Sequence, residues 1–300
     1  MVDIISLSMT ISSTLVCNVL ALLCVVFKES KTTLKDRIII LLCFANCLQT
    51  IGYSVSLEAY ITGSITMSTC VFSAFLLCSL TYSSIGYLVA LTLERYIAIK
   101  YPYRYHVWIN QNVKTWIWLF IPLLLGFLFG VAPILGWGKY GQTHQHSSHC
   151  GFDFRDDSSS AKSYLIFVVI CVLVVPIIIS ARCFCGILFE LRRTAAHHRR
   201  NFGKCSTIFR SSNKSVNQQY VASALTGLVY FTSWVPYGVV CFMMYYRVPV
   251  PLSFEYVAMY MAKSATVSSP IIYCLIEKQF CMFIKGRCLR EDEDAREENV

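Results

Sequence analysis

Blocks of twenty or more apolar residues dominate this chain. Ile38 to Leu57, Trp116 to Trp137 and Tyr164 to Cys185 each reach that length with hardly a charge. A helix needs ~20 such residues to cross a ~30 Å hydrocarbon core. Strands of a membrane barrel would instead be ~10-residue segments of alternating polarity. The charged fraction agrees, at 14% over 300 residues, against about 25% in soluble domains. The expected fold class is all-α membrane.

Seven blocks can be drawn, at about 4–27, 37–62, 70–98, 115–137, 161–191, 217–246 and 251–276. They fill the chain, which predicts a seven-helix bundle as one domain over 1–290 and an acidic cytoplasmic tail over 291–300. No internal repeat of the transporter kind is visible. The first block is too long for the apolar core of a signal peptide and lacks a basic start, so it is read as the first helix.

Basic residues set the orientation. The odd-numbered connections hold Lys28, Lys31, Lys35 and Arg37, then Lys100, Arg104 and Lys114, then seven Lys or Arg between Arg192 and Lys214. Lys278, Lys285, Arg287 and Arg290 follow the last block. The opposite connections hold only Lys139, Arg155, Lys162 and Arg247. A plasma-membrane protein with its N-terminus outside and C-terminus in the cytoplasm is expected. The net charge of +9 then reports topology, and no nucleic-acid partner is needed. The Asn213-Lys-Ser sequon falls in a cytoplasmic loop and reads as chance.

One cation sits where cost forbids accident. A Lys at helix centre costs ~2.5–3.5 kcal/mol on insertion scales, so Lys263 in the last block is a functional candidate. It lies 14 residues before Glu277, about 21 Å along a helix, too deep for its stem to reach the inner surface. On chemistry alone two readings stand. Lys263 is a structural partner for a carboxylate, or it is an amine kept neutral by its apolar pocket and able to condense with an aldehyde as a Schiff base.

The neighbouring motifs carry a resemblance. Ser269-Pro270-Ile271-Ile272-Tyr273 resembles the NPxxY motif of rhodopsin-like (class A) G-protein-coupled receptors, with Ser in place of Asn. Glu94-Arg95-Tyr96 matches their E/DRY triplet, Trp234-Val235-Pro236-Tyr237 their WxPY, and Asn18 their first-helix Asn. A last-helix Lys at this spacing from Pro and Tyr resembles the opsins specifically. The resemblance covers essentially the whole chain. It implies retinal, 11-cis or all-trans, as a covalent cofactor on Lys263, with Trp234 and Tyr237 in its pocket. It implies activation through Glu94, Arg95, Tyr96, Pro270 and Tyr273, a heterotrimeric G protein as partner, and arrestin as a further candidate. Glu277 to Phe280 resembles the start of the family's short amphipathic eighth helix, whose Phe280, Phe283 and Ile284 would face membrane lipid. Cys281 and Cys288 there are candidates for palmitoylation.

Fifteen cysteines are present, most of them apolar filling within helices. The family pattern implies a disulfide between Cys70 and Cys150 at the outer face. Cys150-Gly151-Phe152-Asp153 also resembles the segment that lids retinal in opsins. No metal site is expected; His144, His146 and His149 share one outer loop and read as solvated.

The counterion is where the sequence departs from the pattern. A buried, protonated Schiff base needs a nearby carboxylate. The usual third-helix position is Ser73, and the lid position used by many invertebrate opsins is about His144. Glu58 in the second block and Glu255 in the seventh remain, about 32 Å and 33 Å above the inner face. Glu58 is preferred, since some cnidarian opsins resemble this chain in a second-helix Glu near a Gly-Tyr pair, here Gly52-Tyr53. Asn46, Leu123, Phe184 and Val216 are further departures from the family pattern.

The function expected is a light-activated receptor with no catalytic residues. The alternative is a retinal photoisomerase with the same site and no strong signalling. An amine receptor would want an acid one turn inside the third block, and a light-driven pump would want third-block carboxylates. Neither is present before Glu94.

Overall fold

The computed structural model describes residues 2–27, 32–109, 112–142, 150–153, 156–202, 225, 227–229 and 232–276. Each expected apolar block appears in it as helix. They are α1 (Val2–Val26), α2 (Leu34–Thr62), α3 (Met67–Lys100) and α5 (Asn112–Val131), with the short α4 (Pro102–Ile109) between the last two. The fifth block is continuous helix, running as α6 (Ser159–Val168), a π-helical stretch over Val169–Val174, and α7 (Val175–Phe202). The sixth is α8 (Gly227–Tyr245) and the seventh α9 (Leu252–Ile276).

Local chemistry explains the boundaries. Thr33 caps α2 in a reciprocal box with Asp36, and Gly63 ends that helix at a φ of +69°, a conformation glycine adopts without steric cost. Thr66 caps α3 through the backbone N–H of Thr69. Pro102 then occupies the first position of α4, where its missing N–H costs nothing. The fourth span is shorter than expected. It ends at Val131 and not near Trp137, because Pro133 cannot continue the helical ladder; turns follow, with Gly136 and Gly138 at positive φ.

The exposed faces carry the solvent's signature. Trp116, Phe120, Leu124 and Leu128 stand on one outward stripe of α5, and Val16, Leu20 and Leu23 on α1. Large exposed apolar stripes are unusual in soluble monomers, and on helices of spanning length they meet hydrocarbon. The interior is correspondingly polar in places: Asn18, Asn46, Gln49, Ser84 and Thr266 are all buried. This is a multi-pass membrane protein, with buried apolar clusters between α2, α3 and α5 and between α1 and α2.

At one end of the bundle Tyr140–Gln142 and Cys150–Phe152 form an antiparallel hairpin, β1 and β2, with Gly141 opposite Gly151. The expected disulfide is formed between Cys70 and Cys150, with Cα atoms 5.3 Å apart. It ties the hairpin to the first turn of α3.

Candidate functional site

Beneath the hairpin lies a cavity of about 210 Å³. Its roof is Cys150, Gly151 and Phe152 of β2; its walls include Tyr53 of α2, Tyr82 of α3, Val172 of the π-helical stretch, and Tyr237 of α8. Phe152 stacks on Tyr164 with ring centroids 5.3 Å apart, which holds the roof against α6. Trp234 lines the cavity too and packs on Ile85 and Val172, with its ring edge-on to Tyr237 at 6.2 Å. The lining is mostly aliphatic and aromatic, with no Asp or Glu among its described residues.

Lys263 reaches this cavity from α9. Its Nζ lies over two tyrosine rings, 5.4 Å from the centroid of Tyr53 and 5.0 Å from that of Tyr260. Helical side chains lean toward the N-terminal end of their helix, so the Lys263 stem runs outward along Tyr260, one turn earlier. The Tyr53 hydroxyl donates to Gln49 Oε1 at 3.4 Å, which also accepts from Thr81 at 3.1 Å. A polar chain thus runs from the Tyr53 hydroxyl into the core, while the nitrogen lies over the ring face.

The two acids occupy different settings. Glu58 is exposed and does not line the cavity. Glu255 is half-buried in the first turn of α9, and its charge acts on Tyr237 and Cys241, both of which line the cavity. Ser73, at the usual counterion position, is buried and donates to the Gly52 carbonyl at 3.2 Å.

Toward the other end the motif residues converge. Glu94 is buried, with its Oε2 3.6 Å from Arg95 Nε. Tyr105 of α4 donates a hydrogen bond to the other Glu94 oxygen. Burial, then the Glu94 charge, holds the Tyr105 phenol well above its usual pKa, so it remains a donor. The Tyr96 hydroxyl accepts from Lys100 at 2.6 Å. Pro270 is buried inside α9, and Tyr273 beyond it donates to Asp36 Oδ1 at 3.3 Å. Arg95, Pro270 and Tyr273 line a second, small cavity on this side.

Several of these partners escaped the sequence reading. Gln49 is a polar residue in a long apolar run, which was a usable signal; Asp36, between Lys35 and Arg37 ahead of that run, carried none. Tyr105 and Tyr260 carried none, being two tyrosines among eighteen. Of the departures from pattern, Leu123 is exposed and the Phe184 ring packs on α8 where Gly227 leaves room for it. Val216, His144, His146, His149, the eighth-helix residues, Cys281, Cys288 and the tail lie outside the described residues.

A family model described as 7 transmembrane receptor (rhodopsin family) matches residues 17–273. The chain belongs to the rhodopsin family of seven-transmembrane receptors. Among curated proteins the receptor is similar to the mouse (Mus musculus) "Visual pigment-like receptor peropsin", 26% identical over 260 residues, which cover 85% of the receptor and 74% of that protein. Mouse "Opsin-3" is 28% identical over 201 residues, or 66% of the receptor and 48% of that protein. Pigeon (Columba livia) "Pinopsin" is 24% identical over 280 residues, or 90% and 75%. The crystal structure of squid rhodopsin superposes with a TM-score of 0.80 at 19% identity, covering 94% of the receptor and 83% of that chain. The opsin resemblance read from the motifs and the seven-helix fold are both borne out.

Proposed function

We propose that the receptor is a light-sensing G-protein-coupled receptor carrying retinal on Lys263. The observation that carries this reading is an amine on the wall of an apolar, aromatic-lined cavity closed from above by a disulfide-tethered hairpin. The residues fit an apolar aldehyde: carbon and sulfur surfaces for its chain, one amine for its head, and Trp234 on the wall toward the core. When bound, retinal, as the 11-cis or all-trans isomer, supplies visible absorption and a light-driven change of shape.

The chain's own residues supply the rest. Lys263 would hold retinal through a C=N link of its ε-amine, formed with loss of its two protons and the aldehyde oxygen as water. The hairpin excludes bulk water and so protects that link from hydrolysis. Trp234, packed on α3 through Ile85, receives the altered shape, and Tyr237 follows it one turn on. Pro236 interrupts the α8 hydrogen-bond ladder and lets the inner half of that helix swing. At the inner face Glu94 and Arg95 with Tyr96 hold the resting arrangement, and Pro270 and Tyr273 give α9 its second point of movement. A ligand whose two isomers favour different receptor states shifts the population between them.

The basic connections support a plasma-membrane receptor with a cytoplasmic C-terminus, a G protein and arrestin as partners on that side, and Cys281 and Cys288 as lipidation candidates. Residues 1–290 form the receptor domain and 291–300 its acidic tail. Expression with 11-cis retinal should give a visible pigment in the full chain and none in Lys263→Ala, and light should raise nucleotide exchange on a G protein. Absence of pigment in the full chain refutes the reading. Pigment without light-dependent exchange assigns the chain to the photoisomerase alternative.

A further inference from the structure

We infer that Tyr53 and Tyr260 form an aromatic cage that stabilises positive charge on the Lys263 nitrogen, resting on the reading of Lys263 as the retinal site. Three observations combine. The two rings come from different helices, α2 and α9, and both lie within 5.5 Å of Nζ, at 5.4 Å and 5.0 Å. Cations within about 6 Å of a ring centroid are attracted by the negative face of the ring, more strongly where water is excluded. Tyr53 is buried, and its hydroxyl is held by a hydrogen bond to Gln49.

That last contact gives the cage its sense. The Tyr53 phenol donates its O–H to Gln49, and Lys263 Nζ lies over its ring face. Gln49 is itself fixed, donating to Ser84 Oγ at 3.1 Å and Asn46 Oδ1 at 3.3 Å. Tyr260, three residues before Lys263, lies on the same helical face. The other described groups around the cavity that could ionise are phenols and thiols, Cys78 and Tyr82 of α3, Tyr164 of α6, and Tyr237 and Cys241 of α8. Glu255 bears on two of these from the first turn of α9, so the carboxylate is tested beside the cage. A carboxylate adds charge to the site; the cage adds none, and its effect depends only on the face potential of the rings.

That difference defines the test. The probes are the retinal pigment, titrated by its absorption, and the retinal-free receptor, in which the Lys263 amine is titrated by nitrogen NMR on labelled lysine. Replacing Tyr53 or Tyr260 with Phe keeps the face and should leave both titrations close to wild type. Replacing either with Leu should lower the pKa of the Lys263 nitrogen by about one unit, moving pigment absorption toward the near ultraviolet at neutral pH. Where a Leu variant does not fold, Phe residues of increasing ring fluorination keep shape while weakening the face, and the pKa should fall in step. A flat response to fluorination, or Leu variants that titrate like wild type, overturns the cage. Glu255→Gln and Glu58→Gln are parallel arms: a loss confined to a carboxylate variant, with the ring variants unchanged, likewise overturns it. If the full chain forms no pigment, the retinal reading fails, while the NMR titration still tests the cage.

Discussion

Gly126 and Gly130 of α5 allow a sharper prediction than any other feature of the packing. Without water to drive helices together in hydrocarbon, close backbone approach at small residues takes over. A β-carbon at Gly126 would lie 2.5 Å from the Ser79 carbonyl oxygen and 2.6 Å from the Ser83 backbone nitrogen, and closer still to Ser83 Oγ. One at Gly130 would meet the Ser79 side chain and, at 3.0 Å, its Cα. On α3 the same seam continues at Gly86, where a β-carbon would be 2.9 Å from Pro122 Cβ. Backbone atoms cannot rotate aside as a side-chain tip can, so Gly126→Ala must push α3 and α5 apart. Overpacking of this kind costs about 1–3 kcal/mol, and the upper part of the range applies. The better helix propensity of Ala returns up to ~1 kcal/mol. The net loss of about 1–2 kcal/mol corresponds to a fall of roughly 2–8 °C in apparent Tm. Cys43, Cys183 and Cys241 are buried cysteines outside any disulfide, so a thiol-reactive fluorophore reports unfolding of the purified receptor. Gly141→Ala is the control: its nearest neighbour would be Asp153 Oδ2 at an ordinary 3.5 Å, and its Tm should not move. A Gly126→Ala receptor that melts with wild type would refute the tight seam.

Two further outcomes follow from the ends of the bundle. Asp36 accepts the Tyr273 hydroxyl at 3.3 Å, and Lys35 lies over the same ring at 5.5 Å; Asp36→Ala should therefore release Tyr273 and raise dark nucleotide exchange about fivefold for a bond worth ~1 kcal/mol, and unchanged dark exchange would remove Asp36 as a restraint. Outside the membrane, hydrogen bonds from Arg247 and then Lys162 lower the Asp157 pKa to about 2; a depressed carboxylate stabilises above its ordinary pKa of about 4 and loses that contribution as pH falls toward 2, so wild type should outlast Asp157→Asn in thermal melts at pH 6, by a small margin since the pair is exposed, and match it at pH 2.

What was legible in the sequence follows from scale. The seven spans depend on the summed hydropathy of twenty residues, and no single contact can overturn such a sum. Cys70, Cys150, Glu94, Arg95, Trp234 and Lys263 were legible because each is a chemically distinctive type at a fixed spacing. The end of the fourth helix was missed because hydropathy continues through Trp137 while the backbone, at Pro133, does not. Glu58 and Glu255 were inseparable by depth, since counting residues along a helix gives height without azimuth. Burial separates them: Glu58 is exposed, and Glu255 is half-buried.

Asn46 shows how a departure from pattern becomes readable only through its neighbours. In the sequence it stands where related receptors usually carry Asp, and it looked like a lost charge. In the bundle its amide nitrogen faces two acceptors, Asn18 Oδ1 at 3.1 Å and the Thr266 carbonyl at 3.3 Å. An ionised carboxylate has no proton for either, and would leave both facing a buried negative charge. The Asn46 oxygen meanwhile accepts from Ser84 at 2.9 Å and Gln49 at 3.3 Å, so the side chain is satisfied on both sides. Asn18 completes the set by donating to the Thr266 carbonyl at 3.0 Å. One neutral amide thus ties α1, α2, α3 and α9 together. It does so beside the residue whose hydroxyl donates to the Lys263 carbonyl at 2.8 Å. Placing a full charge there would strain this network, one turn from Lys263. The same chain that crowds its cation with tyrosine faces keeps the core beneath it uncharged.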